Sequence, residues 1–301
     1  MNKRAIRAAF ERAAPHYDQA AQLQQEVARR LDERLEVMKI APALILDAGC
    51  GTGFGVPLLR ARYPQARLIG LDLALAMLRQ TQARHGQARS WRSWLSRLNP
   101  QPSALTLVCG DIERLPLARD SVDLIWSNLT LQWVGDLQAT LREVHRILRP
   151  GGLFAFSTFG PDTLKELRQA FAGIDGYAHV NRFIDMHDIG DMLVYAGFAH
   201  PVMEMEMITL TYADLRSLLR ELKAIGADTV LEGRRPGLMG RRTWQRLSDN
   251  YERLRRDGRL PATFEIIYGH AWAGRKDRLA DGRQVIEFTI QRRRSGRLGG
   301  G

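Results

Sequence analysis

The chain has 301 residues, 45% hydrophobic and 26% charged, which suits a globular protein of one large or two modest domains. It holds no apolar run of roughly eighteen residues, and Met1-Asn-Lys-Arg4 leads straight into mixed polarity, so neither a membrane span nor a secretory leader is expected and the protein reads as cytoplasmic. Cys50 and Cys109 are too few for a disulfide framework and lack metal-ligand spacing with histidine, so no metal is expected, while the net charge of +11 leaves nucleic acid, an anionic membrane or an acidic protein as partners.

In chain order, Pro15 breaks any helix within residues 1–18. Leu23, Val27, Leu31, Leu35 and Met38 then recur at helical spacing and predict a helix from about Gln19 to Met38. Leu44 to Asp47 reads as a buried strand, Phe54 to Arg62 as a helix, Arg67 to Asp72 as a second strand and Ala74 to Arg84 as a second core helix. Residues 86 to 104 look like a basic insertion bounded by turn formers. Strands follow at Leu105–Cys109, Val122–Trp126 and Leu153–Phe156 with Ser157, the last two separated by a helix near Leu137 to Leu148 that stops before Pro150-Gly-Gly152. Beyond Phe159 helices are expected at about Asp162–Phe171, Asp188–Ala196, Tyr212–Ala224 and Arg242–Arg255. Strands are expected near Val202–Thr211, Thr263–Trp272 and Val285–Gln291, with a charged hairpin loop from Ala273 to Arg283. No internal repeat is present, and the tail after Gln291 is expected to be disordered.

Strands separated by helices predict an α/β, doubly wound and mostly parallel sheet. Its ligand should lie outside the carboxyl ends of the strands. Asp47, Asp72, Asp111 and Asn128 all fall at such ends. After Asp47, three glycines alternate at Gly49, Gly51 and Gly53, where a strand-to-helix turn lets a ligand lie against bare backbone. A dinucleotide fingerprint needs a further glycine three places after its second; Phe54, Val56 and Leu58 occupy the possible positions. A phosphate-binding Gly-Lys-Ser/Thr is absent. The acids could instead be helix caps, since each precedes a helical segment or turn.

Leu44-Ile-Leu-Asp-Ala-Gly-Cys-Gly-Thr-Gly53, with Asp72 at the second strand end, resembles the motif of the class I S-adenosylmethionine-dependent methyltransferases. That resemblance implies a Rossmann-like, seven-stranded sheet and S-adenosyl-L-methionine as cofactor. It implies Asp47 near the methionine ammonium, Gly49 to Gly53 beneath the methionine and ribose, Asp72 at the ribose hydroxyls, and Leu73 among the cofactor-binding residues. Asp111 and Ile112 would meet the adenine, with Asn128 beside the site. Asn128 is followed by Leu-Thr-Leu rather than Pro-Pro-Tyr, which disfavours base-modifying amino methyltransferases.

At a finer level the chain resembles the malonyl-acyl carrier protein O-methyltransferases of bacterial biotin synthesis over residues 9 to 272. The resemblance is carried by Phe10-Glu-Arg-Ala-Ala-Pro-His-Tyr-Asp18, Trp126-Ser-Asn-Leu-Thr-Leu-Gln-Trp133, Phe156-Ser-Thr-Phe-Gly160, Asn181-Arg-Phe183, Leu222-Lys-Ala-Ile-Gly-Ala227 and Glu232-Gly-Arg234. It implies transfer of methyl to the free carboxylate of a malonyl thioester, an acceptor already ionised at neutral pH that needs no general base. Tyr17 and Trp133 are expected as an aromatic wall and Arg182 as the cation that selects the carboxylate; a structural salt bridge is the other reading of Arg182. Acyl carrier proteins are acidic, so arginines such as Arg234, Arg241, Arg242, Arg253 and Arg255 could receive one. The domain expectation is N-terminal cap helices over 1–40, a cofactor-binding core over 41–160, the rest of the sheet with a helical substrate lid over 161–291, and a basic tail over 292–301. Alternatives are a carboxyl methyltransferase acting on a free small acid and a non-catalytic methyltransferase-like assembly factor. RNA binding rests on charge alone.

Overall fold

A computed structural model describes residues 2–86, 105–227 and 239–274. Its centre is a seven-stranded sheet in the order β3-β2-β1-β4-β5-β7-β6. The strands are β1 (Leu44–Ala48), β2 (Arg67–Asp72), β3 (Leu105–Cys109), β4 (Val122–Ser127), β5 (Leu148–Phe159), β6 (Phe198–Tyr212) and β7 (Leu260–Ala273). The first five run parallel, while β7 lies antiparallel between β5 and β6. The chain order reverses between β1 and β4, so the crevice beyond their carboxyl ends is the expected ligand position.

Side chains alternate across a strand, and this sheet buries both faces. Ile45, Leu68, Leu124 and Leu153 point to one layer, where they meet Leu23, Val27 and Leu31 of α3 (Gln22–Arg34) and Val56 and Leu59 of α4 (Gly55–Arg62). Their neighbours Leu46, Ile125 and Phe154 point the other way, against Leu141 and Val144 of α6 (Leu137–Ile147) and Ile189 and Leu193 of α8 (Met186–Tyr195). Between these lie α5 (Leu75–His85) and α7 (Lys165–Phe171); α9 (Leu215–Ala224) and α10 (Arg241–Glu252) follow β6.

Several boundaries depart from the sequence expectation. The N-terminal segment forms α1 (Lys3–Ala13) and a single turn, α2 (Tyr17–Ala20). The helix expected from Gln19 to Met38 is interrupted at Ala21, whose amide bonds back to Tyr17 O at 2.9 Å. α3 packs its apolar face into the layer beside the sheet, while its Gln24, Gln25 and Ala28 border the cleft together with residues of α1 and α2. β5 begins at Leu148 rather than Leu153, because a register shift opposite Val122 and Leu124 accommodates Pro150-Gly-Gly152. The basic insertion beyond Gly86, the Glu232-Gly-Arg234 motif, Arg234 and Arg235, the strand at Val285–Gln291 and the tail lie outside the described residues.

The candidate cofactor and active site

The glycine loop is held from several sides. Gly49 and Cys50 both donate to Leu71 O, at 2.7 and 2.9 Å, which ties the exit of β1 to that of β2. Thr81 Oγ1 donates to Gly51 O at 2.8 Å from behind. Gly49, Gly51 and Gly53 have φ of 84°, 54° and 83°, a region L side chains rarely adopt. A side chain at Gly49 would collide with Thr130, whereas one at Gly51 would project into open space within 4 Å. That space is the ligand cleft, and Gly51 presents bare backbone to it.

A ridge formed by Gly49 and Gly51 separates two cavities, and Tyr17 and Asn128 border both. The first is walled by Asp72, Leu73, Asp111 and Ile112 from strand ends, by Met77 of α5, and by Lys3 and Phe10 of α1. The second holds Asp47, Thr52, Trp126, Gln24 and Asp18, and among the described residues no lysine or arginine lines it. Of the residues singled out in the sequence, Asp47, Gly49, Gly51, Asp72, Leu73, Asp111, Ile112, Asn128, Tyr17 and Trp133 therefore come together. Gly53 sits beneath, packed against Thr81 and His85. Arg182 does not line either cavity; it is exposed on the coil before α8, next to Phe183, whose ring meets Phe159 edge-on at 5.5 Å beyond β5.

The acids differ in their commitments. Asp72 accepts from Gly51 N at 2.9 Å and Ala74 N at 2.8 Å, one bond to each oxygen. A carboxylate has about four acceptor positions, so Asp72 braces the loop and the start of α5 while retaining capacity toward the cleft. Burial pushes its carboxyl up to about 6, against the pull of those amides. Asp47 is pushed further, to about 7, by burial and then by the charge of Asp72. Among the described residues no donor reaches the Asp47 carboxylate. Asp111 is partnered already: Lys3 Nζ stands 3.1 Å from it and 2.8 Å from Glu113. The Asn128 amide is also engaged, donating to Gln24 O at 3.0 Å and accepting from Ser157 Oγ at 2.8 Å, and so ties α3 to the exits of β4 and β5.

A roof completes the site. Phe10 meets Trp133 edge-to-face at 5.3 Å and Tyr17 at 6.4 Å. Glu11 accepts the first amides of α5, Leu75 N at 2.8 Å and Ala76 N at 3.0 Å. Asp18 binds Thr52 Oγ1 and pairs with Arg84. The rim of Phe10 is closed by Gly226, at φ 75°, whose added Cβ would stand 3.2 Å from that ring.

Methyltransferase domains match residues 46–156 of this chain, from β1 through β5. A Laribacter hongkongensis protein named malonyl-[acyl-carrier protein] O-methyltransferase is 55% identical over 95% of this chain and 96% of its own length. A Gallionella capsiferriformans protein of the same name is 54% identical over 97% and 98%. The chain belongs to that family. It is accordingly an S-adenosylmethionine-dependent O-methyltransferase.

The methyltransferase fold is shared with solved structures of low identity. One is a Bacillus halodurans protein described provisionally as a methyltransferase, with a TM-score of 0.55 at 14% identity, covering 83% of this chain and all of that one (100%). Another is the Bacillus subtilis YcgJ protein, with 0.54 at 15%, covering 82% and 99%. The cleft of this methyltransferase fits its cofactor on three counts. A bare-backbone ridge has room above it, Asp72 has acceptor positions suited to a diol, and an acid-lined cavity without cations suits an ammonium group. The sequence reading missed Lys3, Phe10, Met77 and Thr130. For α1 the signal was available, since Ile6, Ala9, Phe10 and Ala13 share one helical face.

Proposed function

We infer that this methyltransferase esterifies the free carboxylate of a malonyl group on acyl carrier protein, the ester from which a pimeloyl chain for biotin is built. The observation that carries the reading is the divided cleft, with Asp72 and Asp111 on one side of the Gly49–Gly51 ridge and Asp47 on the other. In this assignment Asp72 takes the ribose hydroxyls, Leu73 and Ile112 enclose the adenine, and Asp111 with Lys3 marks its edge. Asp47 takes the methionine ammonium, and the backbone of Gly49 to Gly53 carries the chain between. Bound S-adenosylmethionine supplies an electrophilic methyl group on a sulfonium.

The protein's own contribution is then positioning and exclusion of water. Tyr17, Trp133 and Phe10 form an aromatic wall across the mouth of the first cavity. The Tyr17 phenol is pushed well above its ordinary range by burial and by Asp72 and Asp18, so it stays a neutral donor. It can therefore hydrogen-bond an incoming carboxylate without competing for the methyl. Arg182, on its exposed coil, would meet the malonyl carboxylate as it approaches.

The carrier protein is assigned to the face built by α9 and α10. Arg216, Arg220 and Lys223 follow one another at helical spacing on α9 and are exposed, as are Arg241, Arg242 and Arg253. Arg216 lies over the Trp244 ring at 5.5 Å, joining the two helices. Arg255 is removed from the expected docking set: it is held by Glu252 and by the carbonyls of Gly258 and Ala213. α9 runs into Gly226 beside Phe10, so a partner docked there would sit at the rim of the cleft. An acidic carrier bearing a long prosthetic arm suits such a surface. Among the described residues no helix is long and apolar enough to cross a membrane, and the enzyme is assigned to the cytoplasm with its carrier.

Mass spectrometry of malonyl-carrier protein incubated with enzyme and S-adenosylmethionine tests this. One added methyl on the malonyl group is expected. Methylation of free malonate with the carrier left unchanged would favour the small-acid reading, and no methylation of either would leave the assembly-factor reading.

A further inference from the structure

The first turn of α3 holds an unused acceptor. Gln24 is the third residue of that helix, where a Gln or Glu usually reaches back to accept the amide of the capping residue. Here the capping residue is Ala21, and its amide is already given to Tyr17 O at 2.9 Å. Gln24 Oε1 is left buried with no hydrogen-bond partner. A buried polar atom without a partner is costly, so its persistence calls for an explanation.

The surroundings supply one. Gln24 lines the second cavity together with Asp47 and Asp18, and its backbone is fixed by the bond from Asn128 Nδ2 at 3.0 Å. Asp18 is satisfied by Arg84 and Thr52. Asp47 is not: it is buried, faces no donor among the described residues, and no lysine or arginine lines the cavity. Asp47 and Gln24, from the end of β1 and the start of α3, thus border one space, and each carries an acceptor with no donor among the described residues. A compact donor with several N–H bonds, such as an ammonium group, can answer both, one as a charge and the other as a dipole.

We propose that Gln24 Oε1 is a second ligand of the cofactor's α-ammonium group, acting with Asp47 to position the aminobutyrate arm. Gln24 is in this sense a positioning residue, and the proposal rests on the cofactor assignment above. It also gives α3 a part in binding: the segment that carries Gln24 follows directly on Tyr17 and Asp18, so engagement of the arm would fix the hinge beneath α1.

The test compares two ligands by titration calorimetry. S-adenosylhomocysteine carries the amino acid arm, and 5′-methylthioadenosine lacks it while keeping the nucleoside. Gln24→Leu should bind S-adenosylhomocysteine about 10-fold or more weakly, the loss expected for a charge-assisted hydrogen bond, with 5′-methylthioadenosine affinity unchanged. Gln24→Glu restores an acceptor and should recover part of that loss. Equal weakening of both ligands would mean that α3 has merely shifted, and unchanged affinity for both would mean that the oxygen is idle; either overturns the proposal. Gln24→Glu binding more weakly than Gln24→Leu would also overturn it, because the amide would then be serving the carboxylate of the arm. Failure of the unaltered protein to bind S-adenosylhomocysteine would instead remove the cofactor assignment on which this rests.

Discussion

Replacing Asp47 with asparagine should make the empty protein more stable and the cofactor complex weaker. The carboxyl is held at about 7 against an ordinary 3.8, with burial as the first cause and Asp72 as the second. A raised acid penalises the folded state once it is ionised. Its effect is absent below the unfolded value, grows as pH rises from 3.8 to about 7, and is a full penalty above that. At about 1.4 kcal/mol for each tenfold in proton affinity, the penalty at pH 8 is on the order of 4 kcal/mol. An asparagine amide has the same shape, and its cost of burial without partners, about 1–3 kcal/mol, is close to that of the neutral carboxyl, so the two cancel. The expected net gain at pH 8 is therefore on the order of 4 kcal/mol, or roughly 6 °C in melting temperature for a chain of this length. Near pH 4 both side chains are neutral and the two proteins should melt together. S-adenosylhomocysteine affinity at pH 8 should fall about 10- to 100-fold, because the charged partner of the ammonium is gone. Thermal melts without ligand at both pH values, with calorimetry at pH 8, measure all of this. A melting difference that does not change with pH, or an unchanged affinity, would refute the reasoning.

Glu11→Ala removes the carboxylate that accepts the first two amides of α5 from α1. A loss of about 0.5–2 kcal/mol is expected in thermal melts, together with weaker 5′-methylthioadenosine binding as the roof loosens; unchanged melts and binding would mean that α1 is held by packing alone. Arg220→Glu combined with Lys223→Glu should raise KM for malonyl-carrier protein severalfold and steepen with falling salt, while leaving turnover of a malonyl-pantetheine substrate as it was. Equal effects on both substrates would move the carrier off this face. Arg182→Ala should raise KM for the malonyl substrate with S-adenosylhomocysteine affinity intact; parallel loss of both would assign Arg182 to folding.

The strand-end side of the cleft was legible because parallel strands deliver their ends to one place. Asp47, Asp72 and Asp111 each follow a short apolar run, and a residue at a strand end needs no tertiary information to be placed. The roof was less legible, since Lys3 meets Asp111 across 108 residues of sequence and the buried face of α1 is largely alanine. β6 runs beyond the expected Val202–Thr211 because Phe198, Ala199 and Tyr212 also pair with β7, and its Glu204 and Glu206 are met by Arg34 and Arg30 of α3. Arg182 was singled out from its short motif, and a coil residue has no register from which a position could be computed.

The place of β7 has a consequence for synthesis. Among the described residues β6 joins the sheet only through β7, along an antiparallel ladder running from Phe198 opposite Ala273 to Tyr212 opposite Leu260. As the chain leaves the ribosome, the parallel half with its glycine loop can assemble while β5 still shows an open margin and β6 has nothing to lie against. β7, the last of the described strands to emerge, fills the gap between them. Until then the growing protein carries two unmet edges, which is the interval in which it is most exposed to pairing with a stranger.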